Sequence, residues 1–94
     1  MVIVRIEHPV PDYGVWKEAF DSDPVGREGS GVRRYQVLRV VDDPNYVMID
    51  LEFDSSSDAE VFLAAMRTVW VRVAGTIMSN PQVRIVEAVE VKEY

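Results

Sequence analysis

The apolar residues change period along the chain, from 2 to 3.6 and back, and that succession leaves few folds open. Residues 2–8, VIVRIEH, alternate: Val2, Val4, Ile6 and His8 fall on one side, Ile3, Arg5 and Glu7 on the other. A period of two marks a strand with one buried face. Pro9 and Pro11 end it, because neither donates to a ladder. Tyr13, Trp16 and Phe20 then recur at i, i+3 and i+7, one face of a helix opened by Pro11 and Asp12 and fading near Asp21. Residues 22–31, SDPVGREGSG, read as a loop. VRRYQVLRVV (32–41) is a strand, DDPN (42–45) a turn, and YVMIDLEF (46–53) a strand with Val47, Ile49, Leu51 and Phe53 on one side. Ser57-x-x-Glu60 forms a capping box before a second helix. Its buried stripe is Phe62, Met66, Val69 and Val73, with Leu63 and Trp70 beside it. That helix ends at Gly75 or at Asn80-Pro81. The last segment, QVRIVEAVEVKEY, alternates through Val83, Ile85, Val89 and Val91.

The order β-α-β-β-α-β predicts an α+β domain spanning residues 1–94, a ferredoxin-like sandwich with a four-stranded antiparallel sheet. Each helix joins two parallel strands through a right-handed crossover. A four-residue DDPN loop sets the hairpin register as Val40 with Val47, Leu38 with Ile49 and Gln36 with Leu51. In that register Arg34 and Gln36 share the helix-covered face. Tyr35, Val37, Arg39 and Val41 share the open face with Tyr46, Met48, Asp50 and Glu52. This open face is too apolar for a wetted surface and too charged for a dry core. It suits a second copy of the chain, polar groups paired across the contact.

The charge balance narrows the functions. Sixteen acidic residues against ten basic ones give a net charge of −6, and the arginines are scattered apart from Arg33-Arg34. A nucleic-acid surface needs clustered cations. The chain has no cysteine and one histidine, which removes disulfides, thiolate chemistry, Cys-type zinc and multi-His metal sites. The longest wholly apolar run, VFLAAM, is far short of a membrane span. The N-terminus is not that of a signal peptide. The expectation is a soluble, cytoplasmic protein with no metal, cofactor, nucleic acid or membrane partner.

Three segments carry a family resemblance: VIVRIEHPVPDYGVWKEAFD, RRYQVLRVVDDPNYVMIDLEF and SSSDAEVFL. They are similar to the dimeric α+β barrel proteins, and within them resemble the antibiotic-biosynthesis-monooxygenase-like group. The resemblance implies two ferredoxin-like sheets packed face to face in a homodimer, helices outside, with a pocket between sheet and helices of each subunit. It also implies activities ranging from cofactor-free oxidation of polyketide-like aromatics to haem degradation, besides members with no known activity. The haem-degrading members use a Trp and a His near the second helix. Here Trp70 is present, but no His follows it.

The topology predicts where chemistry would sit. His8 ends the first strand, and Tyr13 and Trp16 begin the helix that follows it. The second helix rises about 20 Å from Ser57 to Trp70, at ~1.5 Å per residue, and so returns to the same end. His8 and Tyr13 are the candidate catalytic residues, His8 as a general acid or base near neutral pH. Trp16, Phe20 and Trp70 are the candidate substrate-binding walls. Each also has a structural reading: a strand-end histidine, and aromatics that simply cover the sheet. Glu87 is an exposed acid or, if it points inward, a buried one with a raised pKa. Three functions stay open: a monooxygenase-like enzyme for a flat apolar or aromatic molecule, a non-catalytic ligand-binding homodimer, and a structural dimer without a pocket. A cavity separates the first two from the third.

Overall fold

A computed structural model describes all 94 residues. The elements run β1 (Val2–Pro9), α1 (Tyr13–Asp21), β2 (Arg34–Val40), β3 (Asp43–Phe53), α2 (Ser56–Val73) and β4 (Gln82–Glu87). This is the expected α+β order. The four strands form one antiparallel sheet in the order β2-β3-β1-β4. β1 is central because it is the most regularly alternating segment. Its Val4, Ile6 and His8 lie opposite Leu51, Ile49 and Val47 of β3. All six are buried, and both helices pack on this face.

The core follows the two periods. Val47, Ile49, Leu51 and Phe53 are 0–3% exposed. Fully burying each such side chain is worth roughly 1.5–3 kcal/mol. Across from them α2 buries Ala59, Phe62, Leu63 and Trp70, with the Phe53 and Phe62 ring centroids 5.4 Å apart. Met66, Val69 and Val73 of the expected stripe are only half-buried. They face an opening between α2 and the sheet instead of a filled core.

Helix ends follow local chemistry. Asp12 caps α1, its carboxylate accepting the Val15 N–H at 3.1 Å. α2 begins earlier than the capping box Ser57-x-x-Glu60 predicted. Its cap is Ser55, whose hydroxyl accepts the Asp58 N–H at 3.2 Å. Asp58 rather than Glu60 is then the acid in the first turn. α2 stops at Val73. Gly75, with φ of +81°, turns the chain back, and its N–H donates to the Met78 carbonyl at 2.9 Å. That reversal returns Ile77 and Met78 to the sheet side of α2. β4 ends at Glu87, which is exposed, and Val89 and Val91 lie beyond it, also exposed.

The β2–β3 register differs by one residue from the expected one. Arg39 pairs with Val47, Val37 with Ile49 and Tyr35 with Leu51. The turn is Val41-Asp42, not DDPN. β3 starts at Asp43, and the extra residues before Val47 are taken up as an irregularity beside Arg39 and Val40. A one-residue slip exchanges faces. Tyr35, Val37 and Arg39 therefore lie under the helices, where Tyr35 meets Phe20 edge-on at 5.2 Å and Arg39 lies 4.5 Å over Tyr13. Arg34, Gln36, Leu38 and Val40 take the open face with Met48, Asp50 and Glu52. Ion pairs knit that face: Arg5 forks onto Asp50 at 2.8 and 2.9 Å, and Arg34 meets Glu52. Tyr46 donates to Glu7 at 2.9 Å. No helix is long and apolar enough to cross a membrane.

Candidate functional site

A cavity of about 370 Å³ lies between the helices and the sheet. A volume above ~300 Å³ is that of a small-molecule site. Its floor is Ile6, Ile49 and Leu51 from the sheet. One wall is Trp16, Ala19 and Phe20 of α1, and the other is Phe62, Met66, Val69, Trp70 and Val73 of α2. The segment 22–27 and the returning pair Ile77-Met78 complete it. The periodicity of α1 makes the aromatic wall, since Trp16 and Phe20 are one helical turn apart and stack with centroids at 5.2 Å.

The structure brings Trp16, Phe20 and Trp70 together on this cavity. It does not bring His8 or Tyr13 to the wall. Both stand behind Trp16, their ring centroids each 5.8 Å from the indole. His8 is 2% exposed. Its Nδ1 lies 3.1 Å from the Pro9 carbonyl oxygen. A carbonyl only accepts, so Nδ1 carries the proton and Nε2 keeps a lone pair. Burial lowers the pKa of His8, and the bond to Pro9 offsets this only in part. The ring is therefore neutral at pH 7, the form in which it could accept a proton.

Charge enters the cavity from the loop after α1 and from the last turn of α2. Asp23, Arg27 and Arg72 lie on its wall. Asp23 adopts φ of +53°, a conformation Asp tolerates. Its carboxylate accepts the Arg27 N–H at 2.8 Å. Arg27 donates from Nη1 to the Phe20 carbonyl at 2.7 Å, and its guanidinium lies 4.0 Å from the Phe20 ring centroid and 4.9 Å from that of Tyr35. The one sequence hint was the i, i+4 spacing of Asp23 and Arg27 in a glycine-rich loop. No group of His, Cys, Asp and Glu side chains converges as metal ligands would.

No protein-family model matches the sequence, and no curated protein matches it significantly. Solved structures do match the fold. SnoaB, a cofactor-independent oxygenase from Streptomyces nogalater, is similar with a TM-score of 0.76 and 14% identity, over 96% of this chain and 94% of that one. An antibiotic biosynthesis monooxygenase is similar with a TM-score of 0.72 and 13% identity, over 96% of this chain and all (100%) of that one. A variant of MhuD with two manganese protoporphyrin IX molecules bound per active site is similar at 0.69 and 17% identity, over 100% of both chains. The chain shares the fold of these antibiotic-biosynthesis-monooxygenase-like structures, as the resemblance implied.

Proposed function

We propose that this protein is a homodimer that binds a flat, apolar or aromatic molecule in the cavity and oxidises it without a cofactor, as a monooxygenase-like enzyme. The observation that carries this reading is the apolar cavity walled by Trp16, Phe20 and Trp70. The fold shared with a cofactor-independent oxygenase supports it. Aromatic side chains in the wall favour apolar and aromatic ligands. Without a cofactor, the substrate itself supplies the electrons. A methylene flanked by aromatic rings meets this demand: with O2 it gives a carbonyl and one water, so that atoms and electrons balance. Such a substrate first loses a proton to a base. His8 is the buried neutral base beside the wall, its ring centroid 5.8 Å from that of Trp16.

One observation favours a second reading, the non-catalytic ligand-binding homodimer. The wall's only ionisable side chains are Asp23, Arg27 and Arg72, and neither of the candidate catalytic residues touches the cavity. Oxygen uptake with a panel of electron-rich hydroxylated polycyclic aromatics separates the two. The enzyme reading expects uptake matched to product and lost in Trp16→Ala. Saturable binding of the same compounds with no uptake leaves the binding reading. No binding at all removes both.

A further inference from the structure

An apolar cavity forfeits packing along its lining, so the side chains around it need other partners to keep fixed positions. Phe20 is half-buried on the wall. Its ring stacks on Trp16 at 5.2 Å and meets Tyr35 edge-on at 5.2 Å. A cation joins these rings. The Arg27 guanidinium lies 4.0 Å from the Phe20 centroid and 4.9 Å from that of Tyr35. Its Nη1 also donates to the Phe20 carbonyl at 2.7 Å, so Arg27 grips both the ring and the backbone of one residue. The Arg27 side chain is only 15% exposed. A guanidinium turned away from water is costly unless bonds and ring faces replace that water. Lys17, the other cation near Phe20, is 6.0 Å from the ring and bonded to Asp21 at 2.6 and 2.7 Å.

Arg27 is anchored in turn. The Asp23 carboxylate accepts its backbone N–H at 2.8 Å and lies 3.7 Å from its Nε. The Arg27 carbonyl accepts the N–H groups of Ser30 and Val32 at 3.1 and 3.0 Å. Asp23 offers its carboxylate from a φ of +53°, a strained setting that persists only where its surroundings enforce it. We propose that Arg27 is a positioning residue for the ligand wall: it holds the Phe20 ring, and through it the Trp16 indole, in the stack against which a ligand packs. This rests on the reading of the cavity as a small-molecule site. Arg27 acts through Phe20 and not by pairing with the ligand. A wall ordered before binding loses less freedom when the ligand arrives.

Calorimetric titration with 2-naphthol, a neutral hydroxylated aromatic, tests this in a double-mutant cycle over Arg27→Met and Phe20→Leu. Arg27→Met should weaken binding about tenfold or more. In the Phe20→Leu background the same replacement should change affinity by less than about twofold, because the ring that Arg27 positions is gone. The near-ultraviolet circular dichroism of the Trp16–Phe20 stack should weaken in Arg27→Met while the far-ultraviolet spectrum stays the same. If Arg27→Met does not fold, Arg27→Lys, which keeps the charge but not the planar fork, enters the same cycle with the same expectations. Wild-type affinity in the Arg27 variant, with or without a lower thermal midpoint, overturns the inference and assigns Arg27 to loop stability only. An unchanged near-ultraviolet spectrum overturns it as well. So does an equal loss of affinity in both backgrounds, since Arg27 would then act on the ligand directly or on the fold at large. Wild-type protein that binds neither 2-naphthol nor any other hydroxylated polycyclic aromatic overturns the cavity reading and this inference together.

Discussion

The imidazole of His8 meets the indole of Trp16 edge to face, with ring centroids 5.8 Å apart and planes inclined at 64°. The same indole stacks on Phe20 and lines the cavity. Trp16 thus joins the chain's only histidine to the ligand wall. The packing suits a neutral imidazole, because a protonated ring would be desolvated with only the Pro9 carbonyl to stabilise it.

A pH dependence of stability follows. The pKa of His8 is lowered from 6.5 in the folded state, chiefly by burial. As pH falls, the unfolded chain takes up this proton first. The contribution of His8 is therefore complete above about pH 6.5, falls as pH drops below it, and levels off below the folded-state pKa. Denaturant unfolding between pH 7.5 and 5, values chosen to bracket this range (~1 unit or more each side), should show that slope. His8→Ala should flatten it and cost roughly 2–4 kcal/mol at neutral pH through lost packing. A variant as stable as the parent, with the slope unchanged, would show that His8 is not buried in solution and would reopen a direct catalytic role.

Filling the cavity should cost little. Met66 is half-buried on α2 and faces the open volume. Met66→Trp places an indole there without displacing a packed side chain. Overpacking of a full core costs about 1–3 kcal/mol, and here most of that penalty should be absent. The thermal midpoint should stay within about 5 °C of the parent, while binding of hydroxylated polycyclic aromatics is lost. A large drop in midpoint would mean that the space is closed in solution.

Much of this architecture was legible in the chain, and the reason lies in particular residues. Val4, Ile6 and His8, and Val47, Ile49, Leu51 and Phe53, alternate so strictly that only one face of β1 and β3 can be buried. Tyr13, Trp16 and Phe20 name the inward-facing side of α1 in the same way, and Trp16 and Phe20 of them line the cavity. β2 carries no such instruction. Tyr35 and Val37 are apolar on one face, Leu38 and Val40 on the other, so either register satisfies the pattern. The turn then decides. Pro44 was read as a turn residue, but the chain reverses at Val41-Asp42 and takes Pro44 into the start of β3. Arg27 was invisible for a different reason: loop residues have no period, and their neighbours across space depend on the path of the loop. The half-burial of Met66, Val69 and Val73 could not be read either, because a helix stripe facing a cavity looks the same in sequence as one facing a core.

The start of α2 offers a direct comparison of two serines. Ser55 accepts the Asp58 N–H, whereas Ser57 lies inside the helix with an exposed side chain. Ser55→Ala should cost about 1 kcal/mol, the usual loss for an N-cap. Ser57→Ala should be neutral or slightly stabilising, since alanine is the better helix former. Chemical denaturation of the two single variants checks this. The reverse order of effects would move the helix start back to Ser57-x-x-Glu60.

The open sheet face carries the last expectation. With the register corrected, this face bears Leu38, Val40 and Met48 among the pairs Arg5–Asp50, Arg34–Glu52 and Tyr46–Glu7. Leu38 and Val40, on the edge strand β2, are each 39% exposed beside the half-buried Met48 of β3. A second copy packed here would cover them, with the ion pairs satisfied at its edges. Sedimentation at micromolar concentration should then give twice the chain mass of 10.7 kDa. Met48→Asp should yield a monomer by placing a lone carboxylate in the contact. Asp50→Arg should weaken the dimer by setting Arg5 against a like charge. Tyr35→Ala should leave association intact, because Tyr35 lies beneath α1 and against Arg27 on the opposite face. Wild-type protein that sediments as a monomer would end the dimer reading. Loss of association in Tyr35→Ala with retention in Met48→Asp would instead assign the contact to the helix side, and the ion pairs of the open face would then be ordinary solvent-exposed bridges worth well under ~1 kcal/mol each.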